Sequence, residues 1–437
     1  MSLMTFRKLS GMGNQRVGGR SSVCAALDVG TQKVACAIAR VRGGAGYQGR
    51  DDVDVIGFGH CESRGVKAGV IVDLSAAEQS IRGAIGAAES MAGVTVDDVI
   101  VHSACGRIRS EIYEIGVPVV SDRVSQRDLD RVLHTARAQP RGDQRLALHS
   151  MPLGYSLDGS EGVRDPLGMI GAQLSVGMHL VTAEPAPLRN LALCVDRTHV
   201  SISRVAVSPL VSAISTLTPD EADIGAICID MGDGCTTLAM FSDGLFVHAD
   251  AIALGGRHVT LDLARCLSMP LAEAERIKVL HGSVLVNADG DNERVDIVSL
   301  EREDRFQGDS QILKTDLTRV IKPRVEETFE LLRDRLEQSG AGSLRGRRIV
   351  LTGGASQLAG IEVLARSILG GEVRLGVPRA YSGAGASAVG PGFSALFGLI
   401  AYAQTEEFEP SSSLPSPSQV DEGSYLVRVG RWLQQAF

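Results

Sequence analysis

The chain holds a single tryptophan, Trp432, among 437 residues, and aromatics make up only 4% of it. No stretch approaches the roughly 18 consecutive apolar residues of a membrane-crossing helix. The first 22 residues carry Arg7, Lys8, Arg16 and Arg20 but no apolar core, which excludes a secretory signal there. Eight cysteines are scattered through apolar runs such as VCAALD and AICID, with no CxxC pair. That spacing suggests neither a zinc site nor a disulfide framework, and it fits buried thiols in a reducing compartment. One nucleotide signature, GxxxxGK[ST], is missing, which argues against a P-loop fold, and a lone GxGxxG match at Gly44, Gly46 and Gly49 is weak by itself. A formal charge of −8 argues against nucleic acid as a partner, since binding it takes Lys and Arg against phosphates.

What is present reads as an α/β protein. Hydrophobic residues at 44% and charged residues at 22% are globular values, and the length allows two or three domains. SVCAALD (22–28) reads as a buried strand, VGTQK as a turn and VACAIARV (34–41) as the return strand. The layout recurs about two hundred residues later as GAICID (225–230), MGDGC and TTLAMFSDG (236–244). Ser75-Ala-Ala-Glu78 reads as a capping box ahead of an apolar stripe of Ile81, Ala84, Ile85, Ala88 and Met91, ending before Gly93. Residues 316–338 have helical spacing, with Pro323 as a kink or a start. Residues 347–369 read as strand, Gly-rich turn and helix. The acidic segment 286–310 reads as exposed hairpin or loop, and the Ser- and Pro-rich segment 404–423 as a linker.

Three Gly-containing turns stand at strand ends: Asp28-Val-Gly30-Thr31-Gln-Lys33, Asp230-Met-Gly232-Asp-Gly234 and Thr352-Gly353-Gly354-Ala355-Ser356. A phosphate chain needs several backbone N–H groups converging on it, and a Cβ would obstruct that approach. Asp28 and Asp230 are the carboxylates that could hold a hydrated Mg²⁺, an ion that favours one or two carboxylates plus waters. Each turn alone is more often just a tight turn, because Asp and Gly are the usual turn residues. The ordered set of three, with the duplicated hairpin, is what points to a nucleotide.

That set resembles the actin-like ATPase superfamily, and within it the FtsA family of bacterial cell-division proteins. The resemblance covers nearly the whole chain and is carried by AALDVGTQKVACAIA, ESRGVKAGVIVDL, VSPLVSAISTLTPDE, ICIDMGDGCTTLAMF, LGGRHVTLDLARCLSMPLAEAERIK and VLTGGASQLAGI. It implies a two-lobe fold with duplicated ribonuclease-H-like cores, an inserted subdomain and a C-terminal amphipathic helix on a flexible linker. The implied divisions are a basic arm 1–21, subdomain IA at 22–103 and 183–216, and the inserted subdomain IC at 104–182. Subdomain IIA follows at 217–257 and 330–403, IIB at 258–329, the linker at 404–423 and the helix at 424–437.

The resemblance also implies an ATP-Mg²⁺ site. Asp28, Gly30, Thr31 and Lys33 would form the first phosphate loop, and Asp230, Gly232, Gly234 and Thr236 the second. Gly255 and Gly256 would make a phosphate-side turn, Glu275 and Lys278 would contact ribose and adenine, and Gly353, Gly354, Ala355 and Ser356 would cradle the adenosine. For Glu275 and Lys278, three apart on one helical face, a weak surface ion pair is the plain alternative. Three departures from the family pattern stand out. Gly232-Asp233-Gly234-Cys235 replaces the common Gly-Gly-Gly-Thr, so a carboxylate enters a phosphate turn and a thiol replaces a hydroxyl donor. Ser208 stands where several actin-like ATPases carry an acidic residue that positions the attacking water. Binding of ATP with slow or no hydrolysis is the expectation.

On a helical wheel, Tyr425, Leu426, Val429, Trp432, Leu433, Ala436 and Phe437 share one face, with Arg428 and Arg431 opposite. Aromatics and Leu against Arg suit a lipid interface, where tryptophan keeps its ring apolar and its N–H polar. The resemblance agrees, implying a peripheral protein on the cytoplasmic face of the inner membrane at the division site. It would polymerise there, tether FtsZ filaments through the FtsZ C-terminal peptide and recruit other divisome proteins. Lys314, Arg319 and Lys322 could meet that acidic peptide; a solvated helix face is the alternative. A sugar kinase or phosphatase of the same superfamily would use the same loops, but it would need an acid serving the acceptor and has no use for such a tail. A pilus-assembly ATPase of similar fold shares the adaptor logic but typically lacks the tail.

Overall fold

The computed structural model describes residues 22–41, 53–104, 107–139, 145–285, 293–297, 310–339, 346–385 and 390–405. The basic arm 1–21, almost all of the 404–423 linker and the 424–437 helix expected from sequence lie outside the described residues.

Strands β1 (Ser22–Val29), β2 (Lys33–Val41) and β3 (Val53–Glu62) form a meander. A short hairpin of β4 (Val66–Lys67) and β5 (Val70–Ile71) follows, then α1 (Leu74–Ala92) and β6 (Asp98–Ser103). Next come β7 (Arg109–Pro118), α2 (Gln126–Arg137), β8 (Leu146–Leu157), β9 (Ser160–Val163) and β10 (Gln173–Ala183). Helix α3 (Pro185–Asp196), β11 (Ser201–Val207), α4 (Ser208–Thr216) and α5 (Pro219–Ile224) lead into a second meander. Its strands are β12 (Ala226–Met231), β13 (Thr236–Ser242) and β14 (Leu245–Ile252). Helices α6 (Gly256–Cys266) and α7 (Leu271–His281), the paired β15 (Arg294–Ile297) and β16 (Ser310–Leu313), and α8 (Lys314–Gln338) come after it. The described chain closes with β17 (Arg348–Thr352), α9 (Ile361–Leu369), β18 (Glu372–Leu375) and α10 (Ser394–Ala403).

Two five-stranded sheets have the same topology. One runs β11-β6-β1-β2-β3 and the other β18-β17-β12-β13-β14. In each, an antiparallel meander is extended from its first strand by two parallel strands. The echo seen in the sequence is therefore a duplicated core. A third sheet, β7-β10-β8-β9, is antiparallel and carries α2 on one face.

Alternation along β12 shows how these sheets are held. Ala226 and Cys228 point into a cluster shared with α4 and α10, while Ile227, Ile229 and Met231 point into a second cluster with α6 to α9. Helix α4 is buried almost all round, as a helix between two sheets must be. Helix α10 crosses it closely, with Gly398 against the Val211 backbone.

Several expectations need correction. The cap of α1 is Asp73, whose Oδ1 accepts from the Ser75 and Ala76 amides, so the helix begins before the Ser75 box. Met91 is 55% exposed and leaves the apolar stripe, whereas Gly93 closes the helix in a left-handed conformation. Pro323 lies inside α8, so it is not that helix's start. Within 286–310, the described strand β15 pairs antiparallel with β16, which is the hairpin alternative, but it is only half exposed, since Val295 and Ile297 are buried in the second cluster.

Candidate functional site

The two strand-end turns are geometric twins. Asp28 pairs across its hairpin with Ala35, and Asp230 with Thr237. The Gly30 amide donates to the Lys33 carbonyl at 3.0 Å, and the Gly232 amide to the Cys235 carbonyl at 3.0 Å. A Cβ on either glycine would stand 2.9 Å from that same carbonyl, so neither turn admits a side chain. Cys235 closes its turn through its backbone carbonyl.

Both turns line one cavity of about 130 Å³. Its walls include Asp28, Gly30, Thr31, Lys33, Asp230, Gly232, Gly234, Gly353 and Gly354 from the predicted set. Sequence reasoning missed several others: Gly69, His102, Thr237, Pro391, Gly392, Ser394 and Ala395. His102 comes from the end of β6, which the parallel pairing with β1 sets beside Asp28. Its Nε2 donates to Asp28 Oδ1 at 2.9 Å, although the two residues are 74 positions apart. Ser212 of α4 donates to Asp230 Oδ2.

The surroundings of the two aspartates shift them in opposite directions. Burial pushes the Asp28 carboxyl up, but the charge and hydrogen bond of His102, with the Lys33 ammonium, outweigh it and hold it below its ordinary value. Burial dominates at Asp230, whose carboxyl is raised despite Ser212, His102 and Lys33, and the Asp28 charge adds to the rise. Burial pushes the Lys33 ammonium down against the pull of both aspartates. Lys33 bonds the Gly392 carbonyl and lies 3.5 Å from the Phe393 ring centre, tying the first turn to the cleft floor. A hydrated divalent cation would relieve the repulsion between these two carboxylates at the cavity wall, so the donor set fits one. Among the described residues no cluster of three or more acids, histidines or cysteines could ligate a metal directly.

The adenosine side is less uniform. Gly353 donates to the Pro391 carbonyl at 3.1 Å, and a Cβ on Gly354 would project into open space. Ser356 is fully buried and its hydroxyl donates to the Gly353 carbonyl, so it shapes the turn from behind. Thr236 is likewise buried, bonded to the Leu254 carbonyl, and the cavity is lined by Thr237 instead. Gly255 and Gly256 back the second turn, with the Gly256 amide donating to the Gly232 carbonyl at 2.9 Å. A Cβ on Gly256 would stand 3.3 Å from the Ala355 Cβ, so this turn meets the third one.

Glu275 and Lys278 form an ion pair at 2.7 Å, with the Lys278 side chain only 10% exposed. Lys278 also donates to Thr260 Oγ1 and the Gly256 carbonyl, and Gln32 Nε2 reaches Glu275 from across the cleft at 3.1 Å. The pair is thus half-buried at the cleft rim and not a weak surface bridge.

Asp233 still lines the cavity, but its Oδ1 lies on the Gly256 side, and its carboxyl is raised by burial with the Lys278 charge opposing. Ser208 is buried at the start of α4, also facing the cavity. Lys314, Arg319 and Lys322 each face an acid, Glu293 at 3.0 Å, Asp316 at 3.0 Å and Glu326 at 3.6 Å.

A duplicated sheet with twin phosphate-type turns meeting at one cleft defines an actin-like ATPase fold. Solved structures agree at the level of fold: a type IV pilus PilM-PilN complex chain has a TM-score of 0.58 at 16% identity, over 87% of this chain and 98% of that one. MreB5 of Spiroplasma citri has 0.50 at 13% identity, over 87% and 95%. A family model for the cell division protein FtsA matches residues 227–398, and one for the SHS2 domain inserted in FtsA matches 105–182. The chain is 44% identical to the FtsA of Rhizobium meliloti (strain 1021), covering 96% of each, and 31% identical to that of Escherichia coli (strain K12), covering 94% and 97%. The chain belongs to the FtsA family of cell division proteins.

Proposed function

We propose that this chain is a nucleotide-gated membrane adaptor of cell division, binding ATP with Mg²⁺ in the cleft. The observation that carries the nucleotide reading is the meeting of two glycine turns, each following a strand-end aspartate, at one cavity. Asp28 and Asp230 hold the hydrated Mg²⁺, and the amides of the two turns take the phosphates. The cavity is smaller than the roughly 300–1,000 Å³ of a typical ligand site, so the adenosine extends past Gly354 at its wall towards Glu275 and Lys278. Mg²⁺ supplies charge neutralisation for the phosphates when bound. Hydrolysis is slow or absent: no acid stands at Ser208, and Asp233 adds negative charge beside the phosphates.

Assembly follows from the family and the sequence. The globule keeps the divisions 22–103 with 183–216, 104–182, 217–257 with 330–403, and 258–329. It self-associates into filaments, and the 258–329 region docks the acidic FtsZ C-terminal peptide through Lys314, Arg319 and Lys322. Residues 424–437 lie in the headgroup layer of an anionic membrane through Tyr425, Leu426, Val429, Trp432, Leu433 and Phe437, with Arg428 and Arg431 towards lipid phosphates. One short helix binds weakly, and polymerisation multiplies it by avidity. The chain thereby works as a peripheral protein on the cytoplasmic face of the inner membrane at the division site, recruiting further divisome proteins. No helix among the described residues is long and apolar enough to cross a membrane.

Equilibrium binding of a fluorescent ATP analogue to the full chain tests the nucleotide reading. Mg²⁺-dependent binding that weakens at least tenfold in Asp230→Asn is expected. No binding, or binding indifferent to Mg²⁺ and to that substitution, contradicts it.

A further inference from the structure

The phosphate cavity has a neighbour. Thr31, Gln32 and Lys33 line it on one side and, on the other, an outer chamber of about 410 Å³ between the end of β3 and Arg257 of α6. The first turn is therefore a partition between the two spaces, and Gln32 is its middle residue. The Gln32 side chain runs from the turn to the other lobe, where its Nε2 donates to Glu275 Oε1 of α7 at 3.1 Å. The two residues are 243 positions apart in sequence.

Both ends of this bridge are pinned. The Gln32 carbonyl accepts from the Ser63 amide at 2.9 Å, and Lys33 beside it is tied to the Gly392 carbonyl. On the far side, Glu275 Oε2 accepts from Thr260 Oγ1 and, at 2.7 Å, from Lys278 Nζ. Burial pushes the Glu275 carboxyl up, but the bonds from Lys278 and Thr260 outweigh it and hold it below its ordinary value. Gln32 thus donates to a charged acceptor, the stronger kind of hydrogen bond.

We propose that Gln32 and Glu275 form a clasp across the cleft rim that sets how fast nucleotide exchanges. The proposal rests on the nucleotide reading above and deepens it. The inner cavity is too small for a whole nucleotide, so the bound molecule runs beneath the clasp from the two turns towards Glu275 and Lys278. A carboxylate oxygen has two acceptor positions, so a ribose hydroxyl joins Glu275 while Gln32 stays on Oε1. The clasp is therefore whole in the empty cleft and whole again over bound nucleotide. It breaks only while a triphosphate passes between chamber and cavity. An interaction present at both ends of a step and missing at its summit slows both directions and leaves the equilibrium alone.

Stopped-flow measurement on the full chain tests this, using Mg²⁺ and an ATP analogue fluorescent on its base, alongside equilibrium titration. Association and dissociation rate constants should both rise roughly fivefold or more in Gln32→Ala, while Kd moves less than about threefold. Gln32→Met keeps the length and bulk but not the donor, and should match Gln32→Ala. Unchanged rates in Gln32→Ala, or a Gln32→Met that exchanges like the unsubstituted chain, overturn the clasp and leave the nucleotide site standing. A rise in dissociation alone, with Kd rising in step, makes Gln32 an ordinary ligand contact and also overturns the clasp. Failure of the unsubstituted chain to bind the analogue overturns the nucleotide reading with it.

Discussion

Gly398→Ala and Gly86→Ala make the same chemical change on two helices and should act with opposite signs. Gly398 sits on α10 where it crosses α4, and a Cβ there would stand 1.9 Å from the Val211 carbonyl oxygen and 2.4 Å from its carbon. Cβ contacts below 3.0 Å essentially do not occur, so the helices must part by about 1.1 Å, the difference between 3.0 and 1.9. Both partners are backbone, and no rotamer change relieves the clash. Overpacking of a core costs about 1–3 kcal/mol, and a backbone clash belongs at the upper end, near 3 kcal/mol. Helix α4 also carries Ser208 to the cavity and Ser212 to Asp230, so its displacement should weaken nucleotide binding too. Gly86 lies on α1, and a Cβ there would meet nothing within 4 Å. Alanine should stabilise it by roughly 0.5–1 kcal/mol through helix propensity alone. At about 2–4 °C per kcal/mol for a cooperative unit of 150–250 residues, thermal melting should fall by about 6–12 °C for Gly398→Ala and rise by about 1–4 °C for Gly86→Ala. A Gly398→Ala protein that melts with the unsubstituted chain would refute the close crossing of α10 on α4.

Two ion pairs give further tests. Glu221 is only 3% exposed in its side chain, with Arg374 at 2.5 Å and Arg348 at 3.8 Å. Burial pushes its carboxyl up, but the Arg374 hydrogen bonds and the Thr218 amide outweigh that and hold it below its ordinary 4.5. A depressed carboxylate contributes stability that is present above the ordinary value and lost as pH falls through the folded value. Arg374→Ala should cost about 2 kcal/mol at pH 7, below the 3–5 kcal/mol of a fully buried pair because Arg348 remains. Denaturant titration should show the gap closing below about pH 4.5; a constant gap would contradict the assignment. Lys278→Met should cost roughly 2 kcal/mol, below the 3–5 kcal/mol of a fully buried pair, since the pair is half-buried and Glu275 keeps Thr260 and Gln32. A surface pair would lose under about 1 kcal/mol in the same melting experiment.

The hairpin twins were legible because each carries its own local signal: an apolar run, an Asp-x-Gly and an apolar return, fixed by pairing only a few residues apart. Their equivalence needed no tertiary information, since Asp28, Gly30 and Lys33 map on Asp230, Gly232 and Cys235 at one constant spacing. What stayed hidden depends on distant pairing. His102 is an ordinary strand residue until β6 lies parallel to β1, and Ser212 is an ordinary helix residue until α4 is wedged beside β12. The Ser75 capping box misled because Asp73, two residues earlier, accepts from the Ser75 and Ala76 amides and so starts the helix before Ser75. Thr236 misled because the pleat turns it towards Leu254 and gives the cavity to its neighbour Thr237.

Co-sedimentation with vesicles containing anionic lipid tests the adaptor most directly, comparing the full chain with one stopped after Glu422, with and without ATP-Mg²⁺. The full chain alone should pellet, and more of it with ATP-Mg²⁺, as the weak anchor is multiplied by assembly. Equal pelleting of the two chains, or no response to nucleotide, would contradict a nucleotide-gated membrane adaptor.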